Sequence, residues 1–187
     1  GTKYLAGHND TLAGFLVVKE NIVAEKLRFI YKTMGACLAP FDSWMVITGL
    51  KTLALRLAAQ ESNAVKIANY LKTVDSVKKV YYIGLPEHPS YDITLQQSSG
   101  FGAMISFAVN KPEVAIRLLE KIKVVQYAES LGGVESLLTY PMLQTHADVP
   151  PEIRQAKGID EHLLRLSVGI EDVEDLIADL EQAFEED

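Results

Sequence analysis

The stretch LLRLSVGIEDVEDLIADLEQAFEED, residues 163–187, decides the fold. Its first part, LLRLSVG (163–169), is short, largely apolar and closed by a glycine, which predicts a buried strand. Its second part, EDVEDLIADLEQAFEED (171–187), has the helical period: Val173, Leu176, Ile177, Leu180 and Phe184 share one face. Acids crowd its N-terminal end, where the helix dipole favours negative charge. One arginine, Arg165, sits inside the apolar strand. A strand that runs straight into an amphipathic helix belongs to a layered α/β or α+β architecture.

The same alternation recurs upstream. VKKVYYIGL (77–85) reads as a strand, PEHPSYD (86–92) as a turn-rich surface segment, and GAMISFAV (102–109) as a second strand. KPEVAIRLLEKIK (111–123) is an amphipathic helix with Pro112 suited to its first turn. VVQYA (124–128) is a third strand, VESLLTY (134–140) is ambiguous, and LLRLSVG becomes the fourth. Toward the N-terminus, GFLVVK (14–19) is a strand candidate, and NIVAEKLRFIYKTM (21–34) is a helix ended by Gly35. GACLAPFDSW (35–44) reads as a loop, with Asp42 or Ser43 available to cap the next helix. Phe41 and Trp44 are expected in buried packing. A long helix then spans residues 44–71, with Leu50, Leu53, Ala54 and Leu57, then Ala64, Ile67, Ala68 and Leu71, on its inner face. Lys51 and Arg56 fall off that stripe. A soft boundary inside this helix divides the chain into domains 1–60 and 61–187.

Composition narrows the function classes. A chain of 187 residues that is 48% hydrophobic can bury one good core or a domain and a half. A formal net charge of −7 argues against a nucleic-acid partner. No run of eighteen apolar residues occurs, so no membrane span is expected. No charged n-region precedes an apolar stretch, so no secretory signal is visible. The single Cys37 can form neither an intrachain disulfide nor a zinc knuckle, which fits a reducing, cytoplasmic setting. His8, His88, His146 and His162 lack metal-ligand spacing, so no metal is expected; His8 suits a structural hydrogen bond. No G-x-G-x-x-G fingerprint is present.

The candidate chemistry begins at GTKYLAGHND (1–10). An amine such as that of Lys3 becomes a carbonyl nucleophile when desolvation or a nearby cation favours its neutral form. Taken alone, Lys3 would be a solvated surface charge. A guanidinium such as that of Arg165 matches a carboxylate bidentately. Taken alone, it would be an arginine on the exposed face of an alternating strand. Ser130, before Gly132 and Gly133, would be a turn residue, and Glu129 a solvated acid.

The wording around these residues resembles the Cys/Met-metabolism family of pyridoxal-phosphate enzymes, which includes cystathionine γ-synthase, cystathionine β- and γ-lyases, O-acetylhomoserine sulfhydrylase and methionine γ-lyase. The resemblance runs in order through TKYLAGHND (2–10), GLKTLALR (49–56), SSGFGAMISF (98–107), AESLGGVESLLTYP (128–141), QTHADVPPEIR (144–154) and RLSVGIEDVEDLIADLEQA (165–183). It implies an α/β fold: the end of a fold-type I PLP-dependent large domain, then a smaller C-terminal domain with a mostly antiparallel sheet and flanking helices. It implies pyridoxal 5′-phosphate as cofactor and transsulfuration chemistry on sulfur amino acids or activated homoserine.

Residue by residue, Lys3 resembles the lysine that carries the cofactor and moves substrate protons, and Thr2 a phosphate ligand. Ser130 resembles the serine that helps hold the lysine and the substrate carboxylate. Arg165 resembles the arginine that grips the α-carboxylate, and Thr145 a threonine that helps orient it. Glu129 stands where an acid accompanies γ-carbon chemistry in the family and a bulky aromatic accompanies β-elimination. Two positions depart from the pattern: Thr48 where many relatives carry arginine, and Ile83 where many carry proline.

The family's pyridine-nitrogen aspartate, its stacking aromatic and its phosphate loop lie before the lysine. A missing N-terminal half or a neighbouring subunit is therefore the expected partner, in a homotetramer, besides the amino-acid substrate. This portion alone is expected to be inactive. The competing function class is an assembly domain without catalysis.

Overall fold

The computed structural model describes residues 1–186. The chain divides into two compact units, Gly1–Leu53 and the remainder from Ala54.

In the first unit, residues 2–6 form a turn that leads into an extended loop. Helix α1 (Asn21–Met34) ends on Gly35, whose φ of 67° is the left-handed conformation that glycine adopts without a Cβ clash. The Gly35 N–H donates to the Tyr31 carbonyl at 3.1 Å and closes the last turn. Although α1 is amphipathic, none of its residues is buried. The strand expected at 14–19 does not form: these residues have no regular structure, and Val17 is 92% exposed. Apolar character alone cannot make a strand, because the ladder needs a neighbouring strand, and none of the described residues of this unit forms one.

Helix α2 (Pro40–Leu50) starts earlier than expected, with Pro40 in its first turn, where the missing N–H is no loss. Asp42 caps no backbone; it accepts the Thr11 hydroxyl at 2.8 Å. Phe41 and Trp44 stack on each other with centroids 5.8 Å apart. Both remain mostly exposed, contrary to the buried packing expected of them. The long helix over 44–71 is in fact two. Lys51 and Thr52 donate to Thr48 and Gly49 carbonyls in tight three-residue turns, and helix α3 (Leu53–Leu71) follows.

The second unit is built on a five-stranded sheet in the order β1 (Val77–Tyr81), β2 (Met104–Val109), β5 (Leu163–Ser167), β4 (Leu137–Thr139), β3 (Gln126–Tyr127). Three pairings are antiparallel and only β3–β4 is parallel. The helices are α4 (Tyr91–Gln97), α5 (Pro112–Lys121), α6 (Pro151–Ala156) and α7 (Val173–Phe184). Neither α4 nor α6 is foreseen from the sequence. The expected C-terminal helix extends to Asp187, which lies outside the described residues.

Ile105, Phe107 and Val109 of β2 and Leu164 and Leu166 of β5 are fully buried. They join Ala64, Ile67, Ala68 and Leu71 of α3, Leu118 of α5, and Leu176 and Leu180 of α7 in one core. The period-2 alternation of strands sends the intervening residues to the opposite face. Arg165 therefore points away from Leu164 and Leu166. Antiparallel register sets Ser106 on one side of it and Thr139 on the other.

The inner face of α3 differs from the expected stripe in its first half. Arg56 and Gln60 are buried there, whereas Ala54 is exposed and Leu53 and Leu57 are half-buried. Burial pulls the Arg56 pKa down from its ordinary value. One buried acid is also structural. Asp179 of α7 accepts the backbone N–H groups of Lys123, Val124 and Val125 at 2.8–2.9 Å, which fixes the approach to β3.

Candidate active site

Lys3 lies in a backbone turn. The Ala6 N–H donates to the Gly1 carbonyl at 3.0 Å and the Gly7 N–H to the Lys3 carbonyl at 2.8 Å. The turn is pinned from two sides. The Ala13 N–H donates to the Thr2 hydroxyl oxygen at 3.0 Å, and the Thr2 N–H donates to the Ala13 carbonyl at 3.2 Å. On the other side, Gly49 of α2 lies against the turn: a Cβ there would come within 2.1 Å of the Ala6 carbonyl oxygen. The His8 ring nitrogen Nδ1 sits 2.8 Å from the Ala6 carbonyl, the structural contact expected of it. The Lys3 side chain is exposed on this fixed backbone. An accessible primary amine on an immobilised turn is a donor suited to condensation with an aldehyde. Thr2 adjoins it, its hydroxyl engaged with Ala13.

In the second unit the chemistry centres on Arg165. Its Nη2 donates to the Ser130 carbonyl and to the Thr139 hydroxyl, each at 3.1 Å. Its Nε is buried and makes no hydrogen bond among the described residues. A buried donor without a partner is costly, and a carboxylate oxygen would complete it. Burial pulls the Arg165 pKa down, and the charge of Glu129 opposes that shift. An arginine nonetheless stays charged throughout the physiological range. Glu129 itself is exposed.

Ser130 and Glu129 lie on the loop over residues 128–136. Because β3 and β4 run parallel, this loop must carry the chain back before β4 can begin. It is anchored along its length. The Gly132 N–H donates to Ser167 Oγ at 2.8 Å, and Gln60 Nε2 donates to the Gly133 carbonyl at 2.6 Å. The Ile170 N–H donates to the Val134 carbonyl at 2.9 Å. The Ser136 N–H and hydroxyl donate to the Glu171 carboxylate at 2.6 and 2.8 Å.

The second unit thus gathers Arg165, Ser130 and, by its charge, Glu129. Thr145 lies elsewhere in its contacts: its hydroxyl bonds His146 Nδ1 at 2.8 Å. The hydroxyl that rests on the guanidinium belongs to Thr139, which the sequence did not single out. Its signal was weak, since it lies in the ambiguous segment 134–140 and meets Arg165 only through strand pairing. Lys3 and Thr2 belong to the first unit. Among the described residues, no cluster of His, Cys, Asp or Glu could hold a metal ion, and no helix is long and apolar enough to cross a membrane.

Residues 1–185 match the family described as Cys/Met metabolism PLP-dependent enzyme. The chain belongs to this family, whose cofactor is pyridoxal phosphate. It is 46% identical over 184 residues to a cystathionine beta-lyase of Lactococcus lactis subsp. cremoris (strain MG1363), covering 98% of this chain and 48% of that protein. Among solved structures it is similar to cystathionine gamma-lyase from Lactobacillus plantarum complexed with L-serine, at 45% identity and a TM-score of 0.92. That match covers 98% of this chain and 48% of the other. It is also similar to cystathionine gamma synthase from Xanthomonas oryzae pv. oryzae in complex with cystathionine, at 39% identity and a TM-score of 0.94, with the same coverage of 98% and 48%. The chain spans about half the length of the curated relatives it matches.

Proposed function

We propose that this chain supplies the lysine and the carboxylate-binding arginine of a pyridoxal-phosphate-dependent transsulfuration enzyme acting on cystathionine, with γ-carbon chemistry. The single observation that carries the reading is the buried Nε of Arg165, a guanidinium donor left open beside an anchored loop. Its chemistry suits the carboxylate of an amino-acid substrate.

The cofactor, when bound, serves as an electron sink that acidifies carbon next to the amino group. Lys3 would hold it covalently and Thr2 would stand by its phosphate. The Lys3 amine, carried on its pinned backbone, would move protons between neighbouring substrate carbons. Arg165 fixes the α-carboxylate and so sets which C–H bond is presented; orientation of this kind contributes several kcal/mol, about 7–11 at the upper end. Ser130 holds the guanidinium through its carbonyl. Glu129, with its charge toward Arg165, would sit by the far end of the substrate and favour γ-elimination or replacement. A homotetramer, together with a segment that supplies the pyridine-nitrogen carboxylate, would complete the site.

A second reading is β-elimination, favoured by the 46% identity to a cystathionine beta-lyase. Product analysis separates the two. Cystathionine given to the holoenzyme yields, with one water consumed, cysteine, 2-oxobutyrate and ammonia by γ-elimination, or homocysteine, pyruvate and ammonia by β-elimination. Borohydride trapping with pyridoxal phosphate, followed by peptide mass analysis, should place the adduct on Lys3. An adduct elsewhere, or none in the holoenzyme, would overturn the reading; a chain that only mediates assembly would give none.

A further inference from the structure

The guanidinium of Arg165 is steered by a carbonyl on a loop, and the loop has no regular structure of its own. What fixes the loop therefore fixes the guanidinium. Ser167 stands two residues beyond Arg165 on the same strand, so both side chains leave β5 on one face. They grip the same loop two residues apart, Arg165 at the Ser130 carbonyl and Ser167 at the Gly132 N–H, 2.8 Å from its Oγ. Gly132 has a φ of 79°, so this bond secures a backbone conformation that only glycine takes readily.

The next residue is held from a different direction. Gln60 of α3 is wholly buried and reaches the Gly133 carbonyl at 2.6 Å. Its own Oε1 is left buried and without a hydrogen bond among the described residues. A core amide with one unsatisfied atom is unfavourable. A leucine of similar size would avoid that penalty but leave the Gly133 carbonyl without this donor, so the glutamine serves the loop and not the apolar core. One turn further along α3, Asn63 donates to the Gly169 and Glu171 carbonyls at 3.3 and 2.9 Å, which secures the turn after β5.

We propose that Gln60 and Ser167 are positioning residues for substrate recognition: they fix the 130–133 loop so that the Arg165 guanidinium presents its open donor to a substrate carboxylate. The proposal rests on Arg165 being the carboxylate anchor. Neither residue touches the substrate; both act through the Ser130 carbonyl.

The test uses Ser167→Ala, Gln60→Leu and Gln60→Glu, with Arg165→Lys as a control. Two quantities are read in the holoenzyme: the ¹⁵N resonances of the Arg165 guanidinium, and KM and kcat for cystathionine. Ser167→Ala should speed guanidinium rotation and raise KM about three- to tenfold with kcat within twofold, the loss expected when one hydrogen bond is removed. Gln60→Leu, which removes the donor to the Gly133 carbonyl, should raise KM in the same direction, and Gln60→Glu, which keeps the shape but sets a carboxylate against that carbonyl, should do likewise. A lowered Tm with unchanged guanidinium resonances and unchanged KM would overturn the proposal and leave these contacts a purely structural role. Should Gln60→Leu fail to fold, Ser167→Ala, which removes a single atom, still decides. An unchanged KM in Arg165→Lys would overturn the anchor reading alone, and the guanidinium resonances of Ser167→Ala would then judge the positioning separately.

Discussion

Arg165 shows how much one residue depends on context that its neighbours in sequence do not reveal. Its place in an apolar strand was legible, and so was the fit between a guanidinium and a carboxylate. The Thr139 hydroxyl beneath it was not, because that contact is made across a strand pairing separated by 26 positions. Gln60 was hidden for a similar reason: on a helix read by its apolar stripe, a glutamine looks like surface. Replacing Arg165 with lysine keeps the charge but removes the planar fork. Loss of one or two charge-assisted bonds should raise KM about 10- to 100-fold, measured with cystathionine on the holoenzyme. Gly49 makes a second test. Gly49→Ala would drive a methyl into the Ala6 carbonyl, 2.1 Å from where its Cβ must lie. The turn carrying Lys3 would have to move. Stability should fall by about 1–3 kcal/mol, and borohydride trapping at Lys3 should slow relative to the parent.

At the scale of elements, the sequence is informative wherever punctuation and period agree. Helix α1 ends at Gly35 as expected because glycine alone takes that left-handed φ cheaply. Helix α7 shows its inner face plainly: Val173, Leu176, Leu180 and Phe184 are buried at the expected spacing. The failures fall where local signals are absent. Gly49 lies inside the last turn of α2 and no proline stands at Lys51–Thr52, so the apolar stripe runs on and two helices read as one. The run at 14–19 reads as a strand only if a partner strand is assumed. Asp179 lies on the buried side of α7, and its use as a clamp on three backbone N–H groups comes from the loop folded over it. Asp179→Asn places an NH₂ donor against some of those donors. Urea unfolding should show a loss of about 1–3 kcal/mol, larger than for the exposed Asp175→Asn.

Across the whole molecule, the layered α/β class follows from the alternation of strand and helix patterns, whereas the mostly antiparallel sheet was expected only from the family resemblance. The parallel β3–β4 pairing follows from neither, since strands of two and three residues leave no periodic trace. Stability at high pH offers a global readout. Tyr70 packs against the core of the second unit, and burial, aided by the charge of Glu181, raises its pKa from 10.0 to about 12. Below pH 10 both folded and unfolded chains keep the phenol proton, and the stabilisation is complete. Between pH 10 and 12 the unfolded chain loses that proton first, so stability falls. Tyr70→Phe should flatten the decline of Tm across that window; an unchanged slope would assign the decline to other groups.

Helix α1 has fourteen residues, and none is buried. Helices of that length are marginal in water when nothing packs on them. Dissolved in deuterated buffer, the 187-residue chain should therefore exchange the α1 amides within seconds to minutes, while those of β2 and β5 remain protonated far longer. The isotope pattern would divide the polypeptide into a labile segment and a durable one, and would give an early measure of which half degrades first under limited proteolysis.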